Sequence, residues 1–373
     1  LNYLMMNYKE SLFFIGKCLT ISHEKANKTL VEKELASGLV DWDLVTKVST
    51  AHYVFPALYC NLKRANFLMY LPRDLVEYMI YISDLNRNRN LQMIEQAKEI
   101  NELLLANNIR PIFLKGTGNL LEGLYQDPAE RMVGDIDFLV SLENYSRTID
   151  ILKRANYVEL SKSNPHTFDF RHYPRLIHKN YIAAVEIHKD VIINKFKCEF
   201  PYENLKNNRI QTAENCFVLS YSHQLLLSVS AFQINDNGQK LNTLALRNAY
   251  DAFLLSLKTN GIQSLTKASK IYKPINQFLD LSREVLNYQK SLNLSTKYID
   301  TAFKKRFYKL ITDPIANSKH QQKIYRKLIL KLVYPILLKS IYQRETRNWL
   351  ISKLSNNEWR KQKLAQLGIR LRI

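Results

Sequence analysis

Two aspartates, Asp135 and Asp137, lie two positions apart inside an apolar segment, Met-Val-Gly-Asp-Ile-Asp-Phe-Leu-Val at 132–140. On a β-strand, alternate side chains share a face, so both carboxylates would point one way while Ile136 and Phe138 enter the core. Two carboxylates a few ångströms apart repel unless a cation lies between them. Hard oxygen donors of this kind suit Mg²⁺ or Mn²⁺. Further on, Val185-Glu186-Ile187-His188 has the same alternation. If that strand neighbours the first, Glu186 becomes a third carboxylate at the same metal site and can take a proton from an attacking hydroxyl. His188 on the same face could contact phosphate. Asp41-Trp42-Asp43 repeats the Asp-x-Asp spacing, but it follows Gly38 and opens a helical stretch, where capping explains it.

Between strand and helix, Lys115-Gly116-Thr117-Gly118 forms a turn whose backbone N–H groups would face outward at a positive helix end, an arrangement suited to phosphate. It is neither of the common nucleotide loops. Gly118 and Gly123 have the P-loop spacing, but Leu124 and Tyr125 stand where Lys and Ser/Thr are required, and Leu121 occupies the third glycine of a dinucleotide fingerprint.

The elements that must position these residues can be read from periodicity. Residues 1–106 read as helical, with a long helix over 75–106 that starts near Pro72 and stops at Asn107-Asn108. The pattern then changes to a short strand at 109–114, with Pro111 at its beginning or on an edge. A short helix over 119–125, a strand over 132–140 and an amphipathic helix over 142–155 follow. Strands are expected at 157–160, 167–178 and 181–193, the last two forming a hairpin that turns near Lys179-Asn180. Helical periodicity returns at about 214 and continues to the end. This gives three regions: an N-terminal helical region (1–105), an α/β unit carrying the chemistry (106–210) and a C-terminal helical region (211–373).

Composition bounds the rest. The 373 residues are 46% apolar and 24% charged, a globular balance. Glycine numbers only 9, about a third of the usual ~7%, which argues against turn-dense all-β chains. Apolar runs fall short of the roughly 20 residues of a membrane span, and the first residues lack the pattern of a secretory signal. Cys18, Cys60, Cys198 and Cys216 form no CxxC pair, so zinc ribbons are excluded and a reduced, cytoplasmic protein is expected. The net charge is +20, and residues 301–373 hold 18 Lys and Arg against 3 Asp and Glu. That is +15 in the C-terminal fifth, which would attract an anionic surface or nucleic acid. Phe307, Tyr308, Tyr325, Trp349 and Trp359 in this region are expected mainly as core residues of helices. The segment 327–342 is expected as a core helix. Its Lys327, Lys331 and Lys339 also allow an interfacial helix, peripheral at the inner membrane surface.

Taken together, Leu114-Lys115-Gly116, Tyr125-Gln126-Asp127-Pro128, Arg131, Asp135-Ile136-Asp137-Phe138-Leu139-Val140 and Val185-Glu186-Ile187-His188 resemble the bacterial "uncharacterised nucleotidyltransferase" family, with its polymerase-beta-like fold. Leu246-Arg247-Asn248-Ala249-Tyr250-Asp251 looks like that family's later helix. The resemblance covers about 106–255. It implies an α+β protein in which a polymerase-beta-like nucleotidyltransferase core, a small mixed sheet with helices, lies between helical regions. It also implies that Asp135, Asp137 and Glu186 bind Mg²⁺ (or Mn²⁺) and carry catalysis. Lys115, Gly116, Thr117, Arg131 and His188 would bind the nucleotide, an NTP such as ATP. The reaction implied is two-metal transfer of a nucleoside monophosphate to a hydroxyl acceptor, with pyrophosphate released. The acceptor could be a glycan, a lipid-linked intermediate, a peptide or RNA, the last as in toxin-like enzymes acting on tRNA. Two other readings compete. A sugar-nucleotide glycosyltransferase would need a βαβ half before the Asp-x-Asp motif, where this chain reads as helix. A catalytically inactive module binding nucleic acid or a partner would not need all three acids.

Overall fold

The computed structural model describes residues 6–160, 171–259, 269–288 and 300–360. Four helices, Tyr8–Cys18, Lys25–Ala36, Trp42–Ala51 and Phe55–Arg64, lead into a long one, Arg73–Leu105. Local chemistry starts several of them. Asn7 and Glu10 form a reciprocal capping box at the first helix, and the Asp41 carboxylate accepts from Leu44 N at 2.9 Å at the third. The Asp41-x-Asp43 pair is thus a helix start. The long helix follows Pro72 and buries Met79, Ser83, Asn86, Asn90, Met93, Ala97, Ile100 and Leu104, spaced by three or four.

Seven short strands make one mixed sheet: β1 (Ile112–Phe113), β2 (Asp135–Leu139), β3 (Val158–Glu159), β4 (Leu176–Ile177), β5 (Ala184–His188), β6 (Ile210–Gln211) and β7 (Phe217–Val218). Their order is β3-β4-β5-β2-β1-β7-β6. β2 runs parallel to β5 and β1 parallel to β7; the other pairs are antiparallel. The parallel β2–β5 pair requires a crossover, supplied by the helix Leu142–Arg154 and the β3–β4 segment. Ile136 and Phe138 of β2 and Val185 and Ile187 of β5 are fully buried on one face of the sheet. The molecule is α+β, with this small mixed sheet set among helices.

Several expectations shift. Pro111 precedes β1, which is an interior strand, so the proline marks a beginning rather than an edge. The helix expected over 119–125 runs over Lys115–Leu121 instead. Gly116 and Gly118 lack the side chains that would hold the helix off Val133 and Phe113, so it forms directly after β1. Helix was expected from about 214, yet β7 at Phe217–Val218 pairs with β6 and extends the sheet; strands of two residues are too short to leave a period. Part of the strand expected at 167–178, and the chain end, lie outside the described residues. The stretch around 327–342 belongs to the helix Pro314–Tyr342, which packs against Thr301–Thr312, Arg344–Ser355 and Gly238–Leu241. It is not a core helix: Leu330, Tyr334, Leu337, Leu338 and Ile341 are exposed. Of the aromatics expected in the core, Phe307 is buried and Tyr325 is exposed.

The N-terminal helices close against a late one. Gly16 abuts the helix Tyr272–Leu286 so tightly that a Cβ would fall 2.2 Å from the Val285 carbonyl oxygen. Asn27 Nδ2 donates to the carbonyls of Leu286 and Asn287 at 2.8 and 3.1 Å. All four cysteines are free thiols.

Candidate active site

The parallel register of β2 and β5 sets Asp137 directly beside Glu186, and Asp135 beside Ala184. Alternation then puts Asp135, Asp137, Glu186 and His188 on the face opposite the buried Ile136 and Val185. Asp137 and Glu186 are 3% and 5% exposed and His188 is fully covered, so the carboxylates sit in a recess, not on a solvated edge. One donor atom from each of Asp137, Glu186 and His188 lies within 4.8 Å of the others.

Each acid has a cationic or imidazole neighbour. Lys115 Nζ donates to Asp137 Oδ1 at 2.6 Å, and His188 Nε2 lies 2.7 Å from the same oxygen. Burial opposes ionisation of Asp137, but Lys115 and His188 outweigh it and hold the carboxyl well below the usual carboxylate range. Glu186 is also lowered: burial works against it, and the His188 contact prevails. Arg175 bridges the remaining acid to this pair, with Nε donating to Glu186 Oε1 at 2.8 Å and Nη2 to Asp135 Oδ2 at 2.7 Å. Asp135 moves the other way. Burial first, then the charges of Asp137 and Glu186, push its carboxyl up to about 6.

These acids line a cavity of about 240 Å³ together with Lys115, Gly116, Arg131, Arg171, Arg175 and Arg247. Thr117, expected at the phosphates, is buried and donates from Oγ1 to the Asp135 carbonyl oxygen at 3.0 Å, tying the helix start to β2. Gly116 lines the cavity and faces Val133. His188, expected at phosphate, lies against Asp137 beneath the cavity floor, with Nδ1 3.2 Å from the Asp190 carbonyl oxygen. Arg131 reaches the cavity wall but is held by Asp251: Nε donates to both carboxylate oxygens at 3.0 Å, and the Tyr125 hydroxyl donates to Oδ1 at 2.6 Å. Sequence spacing thus brought Asp135, Asp137 and Glu186 together. It gave no role to Arg175, Arg171, Asp236, Asp251 or Arg247. For the last two a signal existed, since Arg247 and Asp251 stand four apart on the helix Leu246–Lys258, but such a pair also reads as ordinary surface pairing.

Gly118 shows how little slack this corner has. A Cβ there would fall 2.7 Å from the Phe113 carbonyl oxygen, which is backbone and cannot swing aside. Gly118→Ala is expected to cost about 1–3 kcal/mol of unfolding free energy, measured by urea denaturation.

The donor set fits a divalent cation. Carboxylate oxygens converge with an imidazole nitrogen, and Asp135 carries an ionisation penalty that a bound cation would relieve. Among the described residues no helix is long and apolar enough to cross a membrane. Comparison with curated proteins and with solved structures gives no match. A family model described as Uncharacterised nucleotidyltransferase matches residues 38–287, two thirds of the chain, and spans the long helix, the whole sheet and the Arg247–Asp251 helix. With that extent of match over the elements that build the acid recess, the chain belongs to the uncharacterised nucleotidyltransferase family.

Proposed function

We propose that the protein moves a nucleoside monophosphate from an NTP, ATP in the first instance, to a hydroxyl acceptor and releases pyrophosphate. Family membership supports nucleotidyl transfer in general. The observation that carries the finer reading is the β2–β5 register, which sets Asp137 beside Glu186 with Asp135 on the same face, beneath a cavity lined by five cationic side chains.

Asp135, Asp137 and Glu186 would hold Mg²⁺ or Mn²⁺, which when bound supplies charge neutralisation for the triphosphate and acidifies an attacking hydroxyl. The acceptor oxygen attacks the α-phosphorus, the bond to the bridging oxygen breaks, and pyrophosphate departs. Glu186 accepts the proton of the acceptor hydroxyl. Lys115 and His188 keep Asp137 ionised for its part. In this reading the unit of 106–210 supplies the three acids, and the helices after it complete the cavity wall with Asp236, Arg247 and Asp251.

Incubation with each α-labelled NTP, Mg²⁺ and a cell extract tests the proposal. Label is expected in one fraction, and whether that is RNA, protein, lipid or glycan names the acceptor class. No incorporation from any NTP would sink the reading. Metal affinity should also follow the Asp135 carboxyl. Its raised value leaves it protonated below about 6, and a ligand must be deprotonated to bind. Mn²⁺ affinity is therefore expected to be full at pH 7.5 and to fall about tenfold per pH unit below about 6, as read by Mn²⁺ electron paramagnetic resonance titration.

A further inference from the structure

The cavity wall carries five cations and five carboxylates, and two of the cations are engaged by none of those carboxylates at ion-pair distance. Lys115 is paired with Asp137, Arg131 with Asp251, and Arg175 with both Asp135 and Glu186. The two remaining cations on its wall, Arg171 and Arg247, make no ion pair among the described residues. The Nε atom of each is buried with no hydrogen-bond acceptor. A guanidinium is charged at any working pH and presents its N–H groups as a rigid fork matched to phosphate oxygens. Buried donors of this kind, left unpaired, call for an anionic partner.

Both arginines stand on anchored backbone. The Arg171 carbonyl accepts from Lys189 N and Asp190 N, at 2.9 and 3.0 Å, which ties this residue to the end of β5. Arg247 lies in the first turn of Leu246–Lys258 with its guanidinium 5.0 Å from the centre of the Tyr53 ring, a stacking contact that fixes its direction. Asp236 on the same wall is within electrostatic reach of Arg171, Arg247 and Lys115. The two guanidinium groups therefore approach one space from elements far apart in the chain.

We propose that Arg171 and Arg247 bind the polyphosphate of the substrate, gripping it above the acid recess. The ligand class is an inorganic or nucleotide polyphosphate, and the assignment rests on the nucleotidyl-transfer reading. It differs from the sequence-based expectation, which placed the phosphates on Lys115, Gly116, Thr117, Arg131 and His188. Of these, Lys115 and Arg131 already have carboxylate partners, and Thr117 and His188 are engaged below the cavity.

The test is calorimetric titration with inorganic tripolyphosphate and with ATP, both in EDTA so that the acid recess contributes no metal-mediated binding. The wild-type chain is expected to bind both. Arg171→Gln and Arg247→Gln should each weaken both ligands about tenfold, and the double variant about a hundredfold. Arg247→Lys should recover part of the loss, which a purely structural role for the Tyr53 stack would not give. Lys305→Gln, an exposed change on Thr301–Thr312, should leave binding unchanged, and circular dichroism confirms that each variant is folded. Wild-type affinity in the folded double variant overturns the assignment and leaves the transfer reading intact. So does a wild-type chain that binds ATP but not tripolyphosphate. A wild-type chain that binds neither also overturns the assignment, while the transfer reading stands or falls on the labelled-NTP incubation with Mg²⁺.

Discussion

Asp135→Asn is expected to lower transfer about a hundredfold or more and yet to make the fold more stable at pH 8. The loss follows from removing a carboxylate from the proposed metal ligands. The gain follows from the raised carboxyl, at about 6 in the folded chain against an ordinary 3.8. A group raised in this way favours the fold below pH 3.8, and that contribution disappears as pH climbs through about 6. At pH 8 the ionised carboxylate is therefore a burden, and removing its charge should return about 1–2 kcal/mol once the partial exposure of the side chain and the loss of the Arg175 contact are allowed for. Urea denaturation at pH 8 and pH 4 reads the effect, expected at the first and absent at the second. A variant less stable than wild type at pH 8 would show that the Arg175 bridge outweighs the repulsion. Asp137→Asn should move stability the opposite way, because it takes the ionised partner from Lys115 and His188.

The second large effect concerns a buried ion pair on the cavity wall. Arg131 and Asp251 are almost wholly buried, joined by three N–O contacts of 3.0 Å, and closed off by the Tyr125 hydroxyl. Removing one member leaves an uncompensated charge in the interior, so Arg131→Met or Asp251→Leu alone should cost about 3–5 kcal/mol. The double variant should recover at least half of that, since two well-packed apolar side chains replace a desolvated ion pair. Thermal and urea unfolding of the three proteins measures this. If Arg131→Met keeps its stability and instead raises the KM for nucleotide, Arg131 acts on phosphate and the structural assignment is wrong.

These pairs also show which parts of the site could be read in advance. Asp135, Asp137 and Glu186 were visible because strand alternation is a local rule, and the two strands that carry them are the longest in the sheet, at five residues each. The family resemblance was visible in the same residues and in Tyr125, Asp127, Arg131 and Asp251. What those last residues do was not. Arg87 on the long helix holds Asp127, and Arg131 and Tyr125 converge on Asp251, through contacts that cross 40, 120 and 126 residues of chain. No spacing rule reaches that far. His188 illustrates a subtler limit. Its face was legible, but its depth depends on what covers the end of the sheet, and there it braces Asp137 from behind. The five two-residue strands left no period to detect, and the apolar stretch of Pro314–Tyr342 satisfied the pattern of a core helix although its exposed leucines and tyrosines show otherwise.

The order in which the chain leaves the ribosome bears on when this site can be assembled. Asp137 and Glu186 are made early, but Asp251 arrives more than 110 residues after Asp137, and the carbonyls that Asn27 engages, at Leu286 and Asn287, arrive later still. A nascent chain halted before Asp251 would hold all three acids without the buried partner that secures Arg131, and its N-terminal helices would lack the surface they close upon. Contacts of such span form late and slowly. The Arg131–Asp251 pair and the closure of the N-terminal helices are thus expected to form only after translation has passed Asn287.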